Sequence, residues 1–338
     1  MWLLYGANGY TGELIAREAA RRGERPILAG RSADKIEPLA HELGCDWRAF
    51  DLQHIDLSGV QAVLHCAGPF IRTSKPMVDA CLAAGVHYLD ITGEIGVFEA
   101  IMARNHEAVA RGVMLLPGSG FDVVPTDCLA AMLKDRMPDA TELSLAFYSP
   151  RGEVSRGTLK TMIEGIGEGG AIRRDGKIVR VPLAYDVREI EFSCGKRTAM
   201  TIPWGDVSTA FHTTGIPNIR VYNAASPRAI RRVRWLQRLL PIVRLRAVRS
   251  ILLKFAERTP GPDEEKRNKG RTYLWGRVSN GRDEITMTMT TPEGYQFTVR
   301  SALDALERVL RNPKPGSYTP SRALGKDFVN TISGVDVQ

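Results

Sequence analysis

The sequence predicts an α/β fold with a doubly wound parallel sheet, followed by a second α+β domain with a mixed or antiparallel sheet. Short apolar segments alternate with amphipathic segments over residues 1–117, a pattern typical of a parallel sheet covered on both faces. Strand-like segments then follow one another with few helices between them, which indicates a second sheet. The length of 338 residues suits two domains, which we expect at 1–127 and 128–311.

Local patterns predict each element. Strands are expected in the first domain at 2–5, 26–29, 46–50, 62–66, 87–91 and 113–116, and helices at 10–22, 33–43, 75–84 and 97–111. The second domain is expected to have strands at 142–148, 177–181, 188–192, 198–202, 219–222, 271–278 and 284–289, with helices at 155–167 and 296–310. We expect the tail, residues 312–338, to pack back on the first domain. Ligands bind beyond the carboxyl ends of parallel strands, so the loops that follow the first six strands are the expected site.

The most informative motif is Gly6-Ala7-Asn8-Gly9-Tyr10-Thr11-Gly12, which joins the first strand to the first helix. Glycines let a backbone turn sharply and approach a pyrophosphate, and the N–H groups of a helix start favour an anion. The spacing differs from the usual dinucleotide fingerprint, and an ordinary strand-to-helix turn is the alternative. In its context the motif predicts a Rossmann-type nucleotide site formed by Gly6, Asn8, Gly9, Tyr10, Thr11 and Gly12.

The loop after the second strand, Gly30-Arg31-Ser32, indicates which dinucleotide is bound. NAD enzymes place an acid about twenty residues after the glycine motif, where it binds the ribose hydroxyls. A guanidinium at this place would bind the 2′-phosphate of NADP instead, and the Ser32 hydroxyl adds a further donor. We therefore predict NADP(H), bound by Gly30, Arg31 and Ser32. The alternative is a solvated arginine at a helix start, with Asp34 close by.

Two further loops are predicted to contact the cofactor. The loop after the fourth strand should run along the diphosphate and the nicotinamide ribose, because Gly68 permits a close approach and Pro69 fixes the turn. Asp51 ends the third strand, where it would accept a hydrogen bond from the adenine amino group. The alternatives are a tight strand exit and a turn cap, respectively. The predicted contacts are Asp51, Cys66, Ala67, Gly68, Pro69 and Phe70.

Acidic residues after the fifth and sixth strands are the catalytic candidates. Alternate residues of a strand share a face, so Asp90, Thr92 and Glu94 are expected to orient a substrate or pass a proton to it. Asp122 follows the next strand and is a candidate for the same reason. A capping and turn network is the alternative, and Asp127 is equally suited to cap a helix over 128–134. Further candidate proton donors, by residue type alone, are Tyr88, His212 and Tyr295.

Charge is concentrated in one segment. The net charge is +8, yet residues 228–258 contain ten Lys or Arg and one acid, which leaves the rest of the chain near neutral. Apolar residues recur there at helical spacing on both sides of Pro241: Ile230, Val233, Leu236 and Leu240, then Val248, Ile251, Leu252 and Phe255. Two amphipathic helices of this kind would rest on an anionic membrane or dock an acyl carrier protein. A solvated face of two packed helices is the alternative. Nucleic acid is disfavoured, because the interleaving of aromatic residues with the arginines is limited to Trp235.

Other bulk features narrow the class. The five cysteines are scattered, without metal-ligand spacing, so we expect reduced thiols and no metal site. No apolar run approaches the roughly 20 residues that span a bilayer, and no leader peptide is recognisable. We expect a cytoplasmic protein, with peripheral membrane association through residues 228–258 as an option.

Taken together, the motifs resemble the saccharopine dehydrogenase-like NADP-binding oxidoreductases, and among them the trans-acting enoyl reductases. Besides the loops after the first, second and fourth strands, the matching segments are Tyr88-Leu89-Asp90-Ile91-Thr92-Gly93-Glu94, Gly120-Phe121-Asp122-Val123-Val124-Pro125-Thr126-Asp127, Pro203-Trp204-Gly205-Asp206, Thr214-Gly215-Ile216-Pro217-Asn218 and Thr319-Pro320. They span nearly the full chain. Asn8 departs from the family pattern, which usually has Thr there. True saccharopine reductases carry a different substrate domain, so the resemblance does not support lysine metabolism.

The primary hypothesis is an NADPH-dependent reductase that transfers hydride to an apolar, acyl or lipid-like substrate. The acceptor would be a C=C conjugated to a carbonyl, a C=O or a C=N, and the C=C version rests on the resemblance. The resemblance also implies a role in lipid metabolism and a homodimer formed through the second sheet. The hypothesis from a different class is a non-catalytic NADP-binding sensor or membrane-associated scaffold, motivated by the basic segment and the lack of an assignable proton donor.

Overall fold

The computed structural model describes residues 1–150, 155–166, 169–239, 246–256 and 261–338, and it contains two sheets. The first sheet has six strands from the first part of the chain: β1 (Trp2–Tyr5), β2 (Ile27–Gly30), β3 (Trp47–Ala49), β4 (Ala62–His65), β5 (His87–Asp90) and β6 (Met114–Leu116). A seventh strand in the tail, Gly316–Ser317, pairs with β6. All neighbours are parallel, and the central order β6–β5–β4–β1–β2–β3 is that of a Rossmann-type sheet.

Five helices connect these strands: α1 (Tyr10–Arg21), α2 (Ala33–Leu43), α3 (Phe70–Ala84), α4 (Ile95–Met102) and α5 (Asn105–Ala110). Helix α3 begins five residues before the predicted start. The Glu94 carboxylate accepts hydrogen bonds from the N–H groups of Phe70 (2.7 Å) and Ile71 (2.8 Å), so the first turn is capped from a distant part of the chain. The single helix predicted over 97–111 is wrong, because the chain turns at 103–104 between α4 and α5.

The second sheet is mixed. It contains β7 (Glu142–Tyr148), β8 (Gly170–Arg174), β9 (Lys177–Val181), β10 (Val187–Phe192), β11 (Gly195–Thr201), β12 (Asn218–Ala224), β13 (Arg271–Ser279), β14 (Glu284–Pro292) and, beyond the tail strand β15, the short β16 (Asp336–Val337). The main order is β10–β11–β12–β7–β13–β14–β16, and β7 and β12 are parallel whereas the other pairs are antiparallel. The predicted fold class is confirmed, although the strands β8 and β16 were not expected.

Within the described residues, eight further helices accompany this sheet: α6 (Val124–Arg136), α7 (Arg156–Ile166), α8 (Asp206–Thr214), α9 (Pro227–Leu236), α10 (Arg246–Ala256), α11 (Glu264–Lys269), α12 (Gly294–Arg311) and α13 (Pro320–Leu324). Helix α8 was not predicted, because its Ser, Thr and His residues are weak helix formers and its burial is visible only in three dimensions. The amphipathic pattern of the basic segment corresponds to α9 and α10. Its Leu240 and Pro241 lie outside the described residues.

Helix α6 lies against the second sheet and shares an apolar cluster with the first. The cluster contains Leu4 and Leu28 of the parallel sheet together with Leu133 of α6 and Leu145 of β7. The predicted cap role of Asp127 is wrong, because α6 begins at Val124, before Asp127, and its carboxylate accepts hydrogen bonds from the N–H of Ser321 and the hydroxyl of Thr213. The division of the chain at residue 127 stays a prediction.

Candidate active site

The loop between β1 and α1 forms a tight turn that depends on glycine at two positions. Gly6 has φ +85°, which side chains rarely adopt, and its N–H donates to the carbonyl oxygen of Ala29 at 2.8 Å. A Cβ atom at Gly12 would lie 2.2 Å from the carbonyl oxygen of Gly6, and one at Gly6 would lie 2.8 Å from the backbone nitrogen of Ala67. Both positions therefore require glycine, and the loop packs directly against the loop that follows β4.

The start of α1 faces the carboxyl edge of the sheet with its first N–H groups. Gly9 precedes the helix in an extended conformation (φ −81°, ψ 161°), and no side chain of the described residues caps it. Tyr10 and Thr11 open the first turn, where the helix dipole adds partial positive charge. A helix start of this kind binds phosphate groups.

The end of β2 lies next to the glycine loop. A Cβ atom at Gly30 would be 3.2 Å from Oδ1 of Asn8, so the two loops are in contact. Arg31 follows and is exposed, and Ser32 precedes the first turn of α2. Burial raises the pKa of Tyr5 at the end of β1, and the charge of Arg31 partly offsets that rise. The guanidinium thus lies at the sheet edge, where it is accessible to a phosphate.

Asp51 forms a local turn. Its carboxylate accepts hydrogen bonds from the N–H groups of Gln53 (2.9 Å) and His54 (3.0 Å), and these bonds lower its pKa. The residue is exposed. These contacts correspond to the turn-cap alternative, and a contact with adenine stays a prediction.

The loop Cys66–Phe70 lies between the glycine loop and α7. A Cβ atom at Gly68 would be 3.6 Å from Oγ1 of Thr161 on α7, so this helix lies beside the loop. The Cys66 thiol is buried, and burial raises its pKa. Cys66 therefore stays a neutral thiol, and the loop offers its backbone, with Ala67, Gly68 and Pro69, to a ligand.

Asp90 and Thr92 are fully buried and hydrogen-bonded, so a substrate does not reach them. The Asp90 carboxylate accepts from the hydroxyl of Tyr88 (2.7 Å) and the N–H groups of Thr92 (3.0 Å) and Gly118 (2.8 Å). Burial raises its pKa to about 6, and the three hydrogen bonds oppose that rise. The Thr92 hydroxyl accepts from the N–H of Glu94 at 3.1 Å. These contacts are those of the capping network that was the alternative, and they remove Tyr88 as a proton donor.

Replacing Asp90 is expected to affect stability. Asp90→Ala leaves the Tyr88 hydroxyl and two buried N–H groups without an acceptor, so we expect a loss of about 3 kcal/mol or more of unfolding free energy in urea denaturation. Asp90→Asn is the matched control, because its amide oxygen accepts the two N–H groups and its NH₂ donates to Tyr88. A loss within about 1 kcal/mol is expected there, and equal losses in both variants would contradict the capping role.

Asp122 differs from Asp90 in its contacts. None of the described residues forms a hydrogen bond with the Asp122 carboxylate. The side chain packs against Gly93, where a Cβ atom would lie 2.6 Å from its Oδ2. Its backbone carbonyl accepts from Nε1 of Trp204 at 2.7 Å, which fixes the residue. Burial, and secondly the charge of Glu94, raise the pKa of Asp122 to about 7. A carboxyl with this pKa is suited to general acid catalysis at neutral pH.

Tyr295 brings the second part of the chain to the glycine loop. Its ring meets the ring of Tyr10 edge-on, with centroids 4.9 Å apart. Its hydroxyl accepts from the N–H of Ser155 at 2.6 Å and bonds Thr158 of α7 at 2.9 Å. Burial raises the pKa of Tyr295, and the charge of Asp122 adds to the rise, so the two side chains are electrostatic neighbours.

His212 lies at a different place. Its Nε2 is 3.5 Å from Oε1 of Glu99, and the same carboxylate binds Arg173 at 2.8 Å. Of the three donors proposed from residue type alone, Tyr295 is thus the one that lies beside the glycine loop.

Residues 2–116 match the family model described as the saccharopine dehydrogenase NADP binding domain. The residues present fit NADP, because Gly6 and Gly12 allow the tight loop and no side chain of the described residues caps the first turn of α1, which leaves its N–H groups for a phosphate. The glycine loop would hold the diphosphate, Arg31 the 2′-phosphate and the Cys66–Phe70 loop the nicotinamide side.

Relatives of the NADP-binding domain extend the comparison. A trans-acting enoyl reductase of Mycobacterium bovis is 33% identical over 184 residues, which cover 48% of this chain and 44% of that protein. The human saccharopine dehydrogenase-like oxidoreductase is 30% identical over 204 residues, covering 51% and 47%, respectively. The chain spans less than half the length of these curated relatives.

A solved structure shares the fold over the full chain. Saccharopine dehydrogenase (L-Glu forming) from Saccharomyces cerevisiae matches 99% of this chain and 98% of its own, with a TM-score of 0.65 and 13% sequence identity. At this identity the likeness shows the fold alone.

Three contacts near the candidate site were not predicted from the sequence. Arg267 of α11 donates to the hydroxyl of Tyr10 at 3.0 Å, and Thr161 lies beside Gly68. The coupling of Glu94 to Asp122 was also missed. Sequence patterns carry no signal for these contacts, since each pair is joined by the tertiary fold and the residues are far apart in the chain.

Proposed function

We propose that the chain is an NADPH-dependent reductase that adds hydride to a C=C bond conjugated to a carbonyl in an acyl or lipid-like substrate. The domain family and a relative named trans-acting enoyl reductase support the cofactor and the reaction class. The observation that carries the proposal is the Asp122 carboxyl, which follows β6 at the strand ends where the glycine loop follows β1 and has a pKa of about 7.

NADPH held by the glycine loop and Arg31 would supply the hydride from C4 of its nicotinamide. The protein would supply the proton that the reduction also requires. Asp122 in its neutral form donates a proton to the substrate atom on which negative charge develops, and the resulting carboxylate is reprotonated from solvent. Asp122 is half-buried, so its carboxyl can exchange protons with solvent. Glu94 acts as a positioning residue, because its charge raises the pKa of Asp122.

Cofactor choice is tested by Arg31→Asp. We expect the wild-type protein to bind NADPH more tightly than NADH in a fluorescence titration. The variant should lose about 10- to 100-fold in NADPH affinity, since a charge-assisted hydrogen bond contributes about 1.5–3 kcal/mol. Arg111→Asp is the matched control, because Arg111 is also exposed but precedes β6 at the opposite edge of the sheet. Unchanged NADPH affinity in Arg31→Asp would contradict the assignment.

The reaction is tested with 4-deuterated NADPH and panels of enoyl, keto and imine substrates. Label in the reduced product of an enoyl substrate supports the proposal. Label in the keto or imine products alone would overturn the C=C version. Absence of turnover in all panels, with NADPH binding intact, would favour the alternative of a non-catalytic NADP-binding sensor.

A further inference from the structure

Helix α9 presents an aromatic side chain among arginines to solvent. Trp235 is 56% exposed, and Arg231 and Arg232 precede it by four and three residues, so all three share a face. Ile230 is buried on the other side, and the Arg234 guanidinium donates to the carbonyl oxygen of Ala184. The helix is thus anchored to the protein by one side, while its free side combines indole and guanidinium groups.

Helix α10 shows the same combination. Phe255 is 63% exposed and Ile251 is 55% exposed, and their spacing of four places them on one face. Lys254 is exposed between them, whereas Ala256 is buried. Exposed single apolar residues are common, but four large ones on two successive helices are not explained by the described packing: Trp235, Leu236, Ile251 and Phe255.

The positive charge of these helices is not neutralised within the described part of the chain. Among the described residues, no acid forms an ion pair with Arg228, Arg231, Arg232 or Arg238. The segment 228–258 has ten cationic side chains and one acid, while the rest of the chain is near neutral. A partner of this surface is therefore expected to be anionic.

We propose that α9 and α10 bind the surface of an anionic lipid bilayer. Arginines there are attracted to lipid phosphates, and indole rings favour the headgroup region. Phe255 and Ile251 would enter the acyl boundary, which an acidic protein surface does not offer. None of the described helices is both long and apolar enough to span a membrane.

This surface is connected to the candidate site through α7. Helix α10 packs on α7, and α7 carries Thr158, which bonds Tyr295, and Thr161, which lies beside Gly68. If the proposed reduction is correct, bilayer contact would bring the candidate site close to the phase that holds a lipid-like substrate. Lipid binding itself does not depend on that function.

Co-sedimentation of the full chain with vesicles tests the proposal. The protein is expected to bind phosphatidylcholine vesicles that contain phosphatidylserine and not pure phosphatidylcholine vesicles, with binding that weakens as salt increases. Two double variants, Arg231→Glu with Arg232→Glu and Trp235→Ala with Phe255→Ala, should each lose at least about tenfold in binding. The matched control is Val109→Ala with Arg111→Glu on α5, where Val109 is 53% exposed; it should bind as wild type.

Circular dichroism and NADPH titration on the same variants show that each is folded, and they separate lipid binding from the proposed catalysis. Absence of binding to anionic vesicles would overturn the proposal, as would equal binding to neutral vesicles or full binding by both double variants. Binding to an acyl carrier protein without vesicle binding would overturn it in favour of a protein partner.

Discussion

The Gly12→Ala variant is expected to lose on the order of 100-fold in NADPH affinity, because a displaced loop loses charge-assisted hydrogen bonds to phosphate that contribute about 1.5–3 kcal/mol each. The added Cβ would lie 2.2 Å from the carbonyl oxygen of Gly6, so the backbone of the loop must move. Because that oxygen also accepts the N–H of Gly9 at 2.9 Å, the displacement extends along the whole cradle. Fluorescence titration with NADPH measures the loss, and thermal unfolding shows whether the fold is kept.

Two further variants test whether the loss of NADPH affinity follows the severity of the clash. Gly9→Ala places its Cβ 3.1 Å from the same oxygen, so a smaller loss is expected. Gly165→Ala, on α7, has no atom within 4 Å of the new Cβ, and we expect unchanged binding with slightly higher stability. If folded Gly12→Ala binds NADPH within threefold of wild type, roughly 0.6 kcal/mol, the cradle is not the phosphate site.

The Asp122→Asn variant is expected to lose about 10²- to 10⁴-fold in kcat on the enoyl substrate found by the labelling experiment, while its NADPH affinity is kept. Since catalysis requires the protonated acid, the wild-type rate should fall as pH rises through about 7. The variant should lack this decline. Asp90→Asn is the matched control, because it changes a buried carboxyl of the same sheet that only caps backbone groups and Tyr88.

Stability gives an independent readout of the same carboxyl. Burial raises the pKa of folded Asp122 to about 7, above the ordinary value of about 4. The folded state therefore binds the proton more tightly, and wild-type stability declines as pH rises from about 4 to about 7. Asp122→Asn should not show this contribution, so its stability relative to wild type should increase over that range.

A full wild-type rate in Asp122→Asn would contradict the proton-donor role of Asp122. Tyr295 would then be the next residue to test.

The parallel sheet and its cofactor loops were predictable because local sequence determines them. The Gly6–Gly12 loop needs glycine for reasons within seven residues, and Arg31 directly follows the strand that positions it. The nucleotide half of the site is therefore visible as a pattern.

The acid–base half depends on contacts between remote segments. The Glu94 carboxylate caps α3 although it lies 24 residues after the start of that helix, and this contact explains why α3 begins earlier than predicted. The same carboxylate places a negative charge close to Asp122. Asp90, Thr92 and Glu94 shared a predicted face, but their hydrogen bonds to one another and to Gly118 gave them structural roles. Tyr295 was a candidate by residue type alone, and its contact with Tyr10 joins residues far apart in the chain.

The position of helix α6 affects how the protein unfolds. A Cβ atom on Gly276 of β13 would lie 2.6 Å from Cδ1 of Leu133, so α6 rests directly on the second sheet while it shares apolar neighbours with Leu4 and Leu28 of the first. The two sheets thus belong to one cooperative unit, in which neither half melts without exposing the other's interior.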